Sequence, residues 1–197
     1  MNKGAHTRQT ILDRATGLAS QVGLSGLSIG ILAKDLELSK SGLFAHFRSK
    51  EALQIQVLEN AAHDFVEGVV KPALRLPRGE PRLREIFDRW MAWDQDGRLP
   101  GGCVFVAAAS ELDDRPGPVR DRLVELQRDW IGVLRTSVQK AVEAGLFRPD
   151  VDPAQFAQDM YGVMLAFHHQ SRLMQDPGAA ARAGRSFEAL LAAARTS

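Results

Sequence analysis

The densest run of groups able to touch another molecule is Ser39-Lys40-Ser41-Gly42, with Ala45 one turn further on. Hydroxyls, an ammonium, a bare backbone and a small side chain offer hydrogen bonding with little bulk. That set suits phosphate oxygens and base edges rather than bond-breaking chemistry. The residues that could break bonds are not arranged to do so. The chain has no Gly-rich phosphate loop and no Ser-His-Asp arrangement. His168 and His169 are adjacent, so they point to different helix faces and lack the i, i+4 spacing of a helical metal pair. Glu111, Asp113 and Asp114 cluster beside Pro116 and read as a solvated helix end. No catalytic residue, metal or cofactor is therefore expected. The single cysteine, Cys103, cannot form an internal disulfide, and a reducing compartment is expected. No Lys or second Cys stands near it in sequence to activate it, so a buried, inert thiol is expected.

The polar run needs helices to present it, and the sequence supplies them. Ile11, Leu12, Ala15, Leu18, Ala19 and Val22 draw one stripe over a first helix from about Thr7 to Val22, ended by Gly23. Ser28 stands at the N-cap of a short second helix ending near Leu36. Ser39 caps a third through His46, and Ser49 a fourth, long one that Pro72 stops or bends. Pro81 suits the first turn of a fifth helix reaching about Gln95. Further helices are expected over about 103–112, 119–144, 153–174 and 179–195, separated by Gly- and Pro-rich breaks. The fold class is all-α with about nine helices. Two short helices joined by a brief turn, Ser28 to His46, have helix-turn-helix geometry. Ala33, Leu38 and Leu43 are placed to pack them together, while Lys40, Ser41, Gly42 and Ala45 face outward.

Bulk properties agree. The 197 residues are 45% hydrophobic and 25% charged, an ordinary globular composition. Residues 1–51 hold 7 Lys/Arg against 4 Asp/Glu, and the remainder 18 against 20, so a basic head precedes a mildly acidic body. The N-terminus MNKGAHTRQT has no apolar run after its charges, so no signal peptide is expected. No stretch approaches the roughly 20 apolar residues of a membrane span. A cytoplasmic location away from the membrane is the expectation.

The block Ser28–Leu53 resembles the DNA-binding signature of TetR-family regulators. Its elements read Ser28, Leu32-Ala33, Leu38-Ser39-Lys40, Ser41-Gly42, Leu43-Phe44, His46-Phe47 and Ser49-Lys50-Glu51, with Thr7-Arg8, Ile11-Leu12 and Ala15 fitting the first helix. The resemblance covers about the first quarter of the chain. It implies an N-terminal three-helix helix-turn-helix domain, residues 1–49, and a C-terminal helical ligand-binding and dimerisation domain, residues 50–197. It implies that Ser39 and Lys40 open the recognition helix at phosphates and base edges, and that Ser41 and Gly42 lie against the groove floor. Lys50 would hold a phosphate, Ser28 would cap and donate to one, and Phe44 and His46 would complete the DNA contacts. Three positions depart from the pattern. Glu37 stands where Gly is usual, so a Glu must take an uncomfortable turn conformation or shift the turn. Phe44 lacks the hydroxyl of the usual Tyr, and His46 replaces an aromatic.

For the second half, the resemblance implies a small-molecule pocket between helices and a homodimer through the last two helices, about 154–174 and 179–195. The last is rich in small residues that allow close helix approach. Pocket candidates are Phe87, Trp90, Trp93, Cys103, Phe105, Trp130, Tyr161, Met164 and His168, although each taken singly also suits an ordinary core. The function so implied is a ligand-responsive repressor, released from a palindromic double-stranded operator by a small, largely apolar effector. A TetR-like activator, a small helical enzyme and a helical adaptor are the alternatives.

Overall fold

In the computed structural model, which describes residues 3–196, the chain is helical throughout. The N-terminal leader reading involves Met1 and Asn2, which lie outside the described residues. The elements are α1 (Lys3–Gly26), α2 (Ile29–Asp35), α3 (Lys40–His46) and α4 (Lys50–Phe65). A π-helical turn (Val66–Val70) leads from α4 into α5 (Lys71–Leu74). Then come α6 (Glu80–Asp94), α7 (Val104–Leu112), α8 (Pro118–Glu143), α9 (Pro153–Arg172) and α10 (Ala179–Ala194). Since α4, the π turn and α5 run without a break, the described residues form nine helical rods. The only extended pairing among them is an isolated bridge between Phe147 and Arg195.

Pro72 does not stop the fourth rod. A proline interior to a helix removes an N–H and crowds the carbonyl four residues earlier. Here the π turn before it widens the helix, with the Lys71 N–H reaching back to Val66 O. The Gly68 carbonyl, which Pro72 cannot satisfy, accepts from Arg89 Nη1 at 3.0 Å. The first helix also outruns its expected end. Gly23 breaks it with φ 76 and ψ 164, but helical hydrogen bonding resumes to Gly26.

Two compact units result. The first comprises Met1–Asp64 and Gln95–Leu126, the second Phe65–Asp94 and Gln127–Ser197. In the first, α1 packs along α7, and α2 packs on α3. Leu32, Leu43, Phe47, Leu53 and Leu58 are fully buried there, each worth about 1.5–3 kcal/mol. In the second, α9 lies against α6 and α10. Met160, Met164, Phe187 and Leu191 fill its core, with Phe87 stacked on Phe187 at 4.2 Å between ring centroids.

Candidate nucleic-acid interface and effector core

The α2–turn–α3 unit is built by local capping. Ser28 is extended (φ −140, ψ 156) and its Oγ accepts from Ile31 N–H at 3.2 Å. Ser39 does the same for α3, accepting from Gly42 N–H at 3.1 Å. Each cap satisfies one of the N–H groups a helix start leaves over. Between them, Glu37 adopts φ 54, the left-handed conformation that its position demands and that glycine would take more cheaply. The Leu38 N–H closes the turn onto Ala33 O at 2.9 Å, a Schellman-type helix end. Leu38 itself is 44% exposed, so the α2–α3 contact rests on Leu32, Ala33 and Leu43 instead. The turn that orients α3 turns the Leu38 side chain outward.

The outer face of α3 carries Lys40, Ser41, Gly42, Phe44 and Ala45, all exposed. Phe44 is 53% exposed while Leu43 and Phe47 are fully buried, so the helix is sharply two-sided. Lys40 lies over Gly30, its Cε 3.6 Å from where a Cβ would stand. The Ser39 and Ser41 hydroxyls are 3.2 Å apart. His46 is half-buried, its ring 6.2 Å from that of Phe47. Lys50 sits at the start of α4 and its ammonium donates to the Ser25 carbonyl at 2.6 Å. Arg14 grips Asp35 at the end of α2 with two hydrogen bonds, 2.5 and 2.8 Å, holding that carboxyl below its ordinary range.

Most of the aromatic and polar pocket candidates lie in the second unit. Phe87, Trp90, Trp93, Trp130 and Met164 are buried, and Tyr161 and His168 half-buried. Cys103 and Phe105 are buried in the first unit, at the start of α7. Trp93 and Trp130 approach the same ring, edge-on to Phe65, with centroids 5.3 and 4.9 Å away. Neither indole N–H meets a hydrogen-bond acceptor among the described residues. The Tyr161 hydroxyl donates to Gln127 Oε1 at 3.1 Å. His168 Nδ1 pairs with Asp94 Oδ1 at 2.5 Å. Between α9 and α10 runs an open groove floored by Gly162, Ala166, Ala179 and Ala183 and flanked by Asp159 and Arg182. No helix among the described residues is long and apolar enough to cross a membrane.

Comparison with known proteins places this arrangement. The family model described as "Bacterial regulatory proteins, tetR family" matches residues 11–57, and "Tetracyclin repressor-like, C-terminal domain" matches residues 79–187, more than half of the chain. The chain belongs to the TetR family. Its relatives include the HTH-type transcriptional repressor NemR of Escherichia coli (strain K12), 26% identical over 200 residues, covering 96% of this chain and 92% of NemR. A TetR transcriptional regulator from Chloroflexus aurantiacus J-10-FL superposes with a TM-score of 0.85 at 25% identity, covering 98% and 96% of the two chains. AibR, solved in complex with isovaleryl coenzyme A and operator DNA, shares the fold with a TM-score of 0.71 at 22% identity, covering 90% and 96%.

As a TetR-family transcriptional regulator, the chain carries several site residues that its sequence did not single out. Asp94 follows Phe87 and Trp90 on the buried stripe of α6, and a carboxylate on an apolar stripe is the signal that marks it. Phe65 was legible only as one more apolar position of α4. Glu111 is no solvated helix end. Its two carboxylate oxygens accept from the Leu24 and Ser25 N–H groups at 3.1 and 2.7 Å. No sequence signal marks that contact, because its partners are backbone.

Proposed function

We propose that this TetR-family regulator is a repressor that acts as a homodimer on a palindromic operator and is released by a small, largely apolar effector. One observation carries the DNA half: α3 presents a capped, exposed face of Lys40, Ser41, Gly42 and Phe44 above a buried Leu43 and Phe47. Residues 1–49 serve as the DNA-binding domain and residues 50–197 as the sensing and dimerising one, in the cytoplasm and without enzymatic activity. Ser28, Ser39, Lys40, Ser41, Gly42, Phe44 and His46 form the contact set in the major groove. Lys50 joins it at a phosphate, within reach of its hold on Ser25. Two-fold symmetry sets the half-sites about 34–36 Å apart.

The effector half is supported by the second unit's aromatic core, Phe65 with Trp93 and Trp130, beside the other candidates Phe87, Trp90, Tyr161, Met164 and His168. Its two indole N–H groups suit acceptor atoms on an otherwise apolar molecule. Cys103 and Phe105, the two candidates in the first unit, are buried within that unit. AibR binds both an acyl coenzyme A and its operator, which supports coupling of this kind. The second copy docks along the α9–α10 groove, whose small residues admit a close partner. An effector that binds the DNA-incompetent state better shifts the population off the operator.

The test is a footprint of the purified protein on DNA upstream of its own gene, followed by a screen of small molecules for release. Protection of a two-fold-symmetric site, lost on adding one compound class, is the expected result. Lys40→Ala should lower the salt slope of binding by about 1. Protection of no site, or a slope unchanged by that substitution, counts against the reading.

A further inference from the structure

The α1–α2 turn is held by groups of α4 and of residues 101–115, with Glu111 of α7 among them. Upstream of the kink, the Gly101 N–H donates to Ser20 Oγ at 3.0 Å, and a Cβ on Gly101 would stand 1.6 Å from the Ser20 carbonyl oxygen. Downstream of it, both oxygens of Glu111 accept from consecutive backbone N–H groups, Leu24 and Ser25. Gly23 suits its left-handed conformation, and any larger residue would push the Glu111 carboxylate from its place. Its φ is 76, and a Cβ there would lie 2.1 Å from Glu111 Oε1. Three further polar groups of the turn are also taken. Gln54 Nε2 donates to Leu24 O, Lys50 Nζ to Ser25 O, and Arg115 Nη1 to Ser25 Oγ. Four residues after Ser25 α2 begins, and α3 follows it.

We infer that Glu111 is a positioning residue for DNA binding: its carboxylate sets the α1–α2 turn and with it the presentation of α2 and α3. The inference rests on the proposal that α3 reads an operator. A carboxylate accepting two N–H groups fixes both in one plane, and such charge-assisted bonds are about twice as strong as neutral ones. A glutamine keeps the shape but turns its NH2 toward one of those donors. The turn then samples other orientations, and apparent affinity falls with the fraction of molecules whose α3 is correctly presented. Glu111 faces backbone, so it makes no phosphate contact of its own. Simple electrostatics predicts the opposite sign, because removing a negative charge from the compact unit that carries α3 strengthens its attraction to DNA.

The experiment uses the full-length protein and a duplex that it enriches from a random library of about 30 base pairs, long enough for two half-sites. Glu111→Gln should bind that duplex about tenfold more weakly, with an unchanged salt slope and no loss of affinity for an unrelated duplex. Asp114→Asn, which removes a charge at the same helix end, should bind both duplexes at least as well as the unaltered protein. Equal or tighter binding of the enriched duplex by Glu111→Gln overturns the inference while leaving operator binding intact. Parallel loss on both duplexes marks plain unfolding and also overturns it. Failure to enrich any duplex overturns the operator reading and this inference with it. A second measurement needs no variant. The Leu24 and Ser25 amides of the unaltered protein should exchange hydrogen at least tenfold more slowly than unprotected amides; fast exchange at both overturns the assignment.

Discussion

His168 Nδ1 lies 2.5 Å from Asp94 Oδ1, and Asp94 is wholly buried. The pair ties α9 to α6 inside the second unit. A buried carboxylate must be hydrogen-bonded to be tolerated at all. Removing it leaves the imidazole half-buried without its acceptor. Asp94→Ala should destabilise the protein by about 1–3 kcal/mol, read as a lower urea midpoint at constant slope. Asp94→Asn, which still accepts, should lose less. A midpoint shift below the error of the measurement would show that the pair does not hold these helices.

Glu80 lies in the second unit within hydrogen-bond reach of two guanidinium groups, Arg84 and Arg195. Hydrogen bonds from Arg195 first, and from Arg84, stabilise its ionised form and hold it at about 2 against an ordinary 4.5. Arg84 also binds Glu188, so α6 and α10 share one ion-pair network. Because folding lowers this pKa, the stability it contributes is present above about pH 4.5 and lost as pH falls towards 2. The groups are partly exposed, so the gain is modest, about 1 kcal/mol or less. Thermal midpoints of the protein and of Glu80→Gln should differ at pH 7 and converge on acidification. A difference that grows in acid would contradict the assignment.

Phe44 separates folding from recognition. More than half exposed on α3, it contributes little to the core. Phe44→Ala should leave stability within about 0.5 kcal/mol while weakening operator binding, because an apolar ring on the reading face can meet a thymine methyl or sugar. Calorimetry and a gel-shift titration of the same sample decide it. A large drop in melting temperature would assign the ring to packing instead.

The α9–α10 groove gives a test of assembly. Ala166 is exposed on its floor, four residues from Gly162. Ala166→Arg places a long cation where a second copy's helix would approach. Sedimentation should show a dimer for the unaltered protein and a monomer for the variant, with the helical circular dichroism unchanged. A dimer that survives the substitution would move the interface elsewhere.

The sequence by itself determined the helices and the reading head. Caps and apolar stripes are settled by neighbours within about four residues, so Ser28, Ser39 and the short α2 and α3 were legible, as was the strained turn at Glu37. The resemblance over Ser28–Leu53 was legible for the same reason. What the tertiary structure decided is which buried polar groups meet. Glu111 finds Leu24 across 87 residues, and His168 finds Asp94 across 74. It also decided that Pro72 is absorbed by a π turn, that Leu38 faces outward, and that residues 95–126 pack with the head rather than with the aromatic core. The physical reason is common to all of these. Desolvation forces each buried donor or acceptor to find a partner, and that partner is chosen by proximity in space, which no periodicity along the chain encodes.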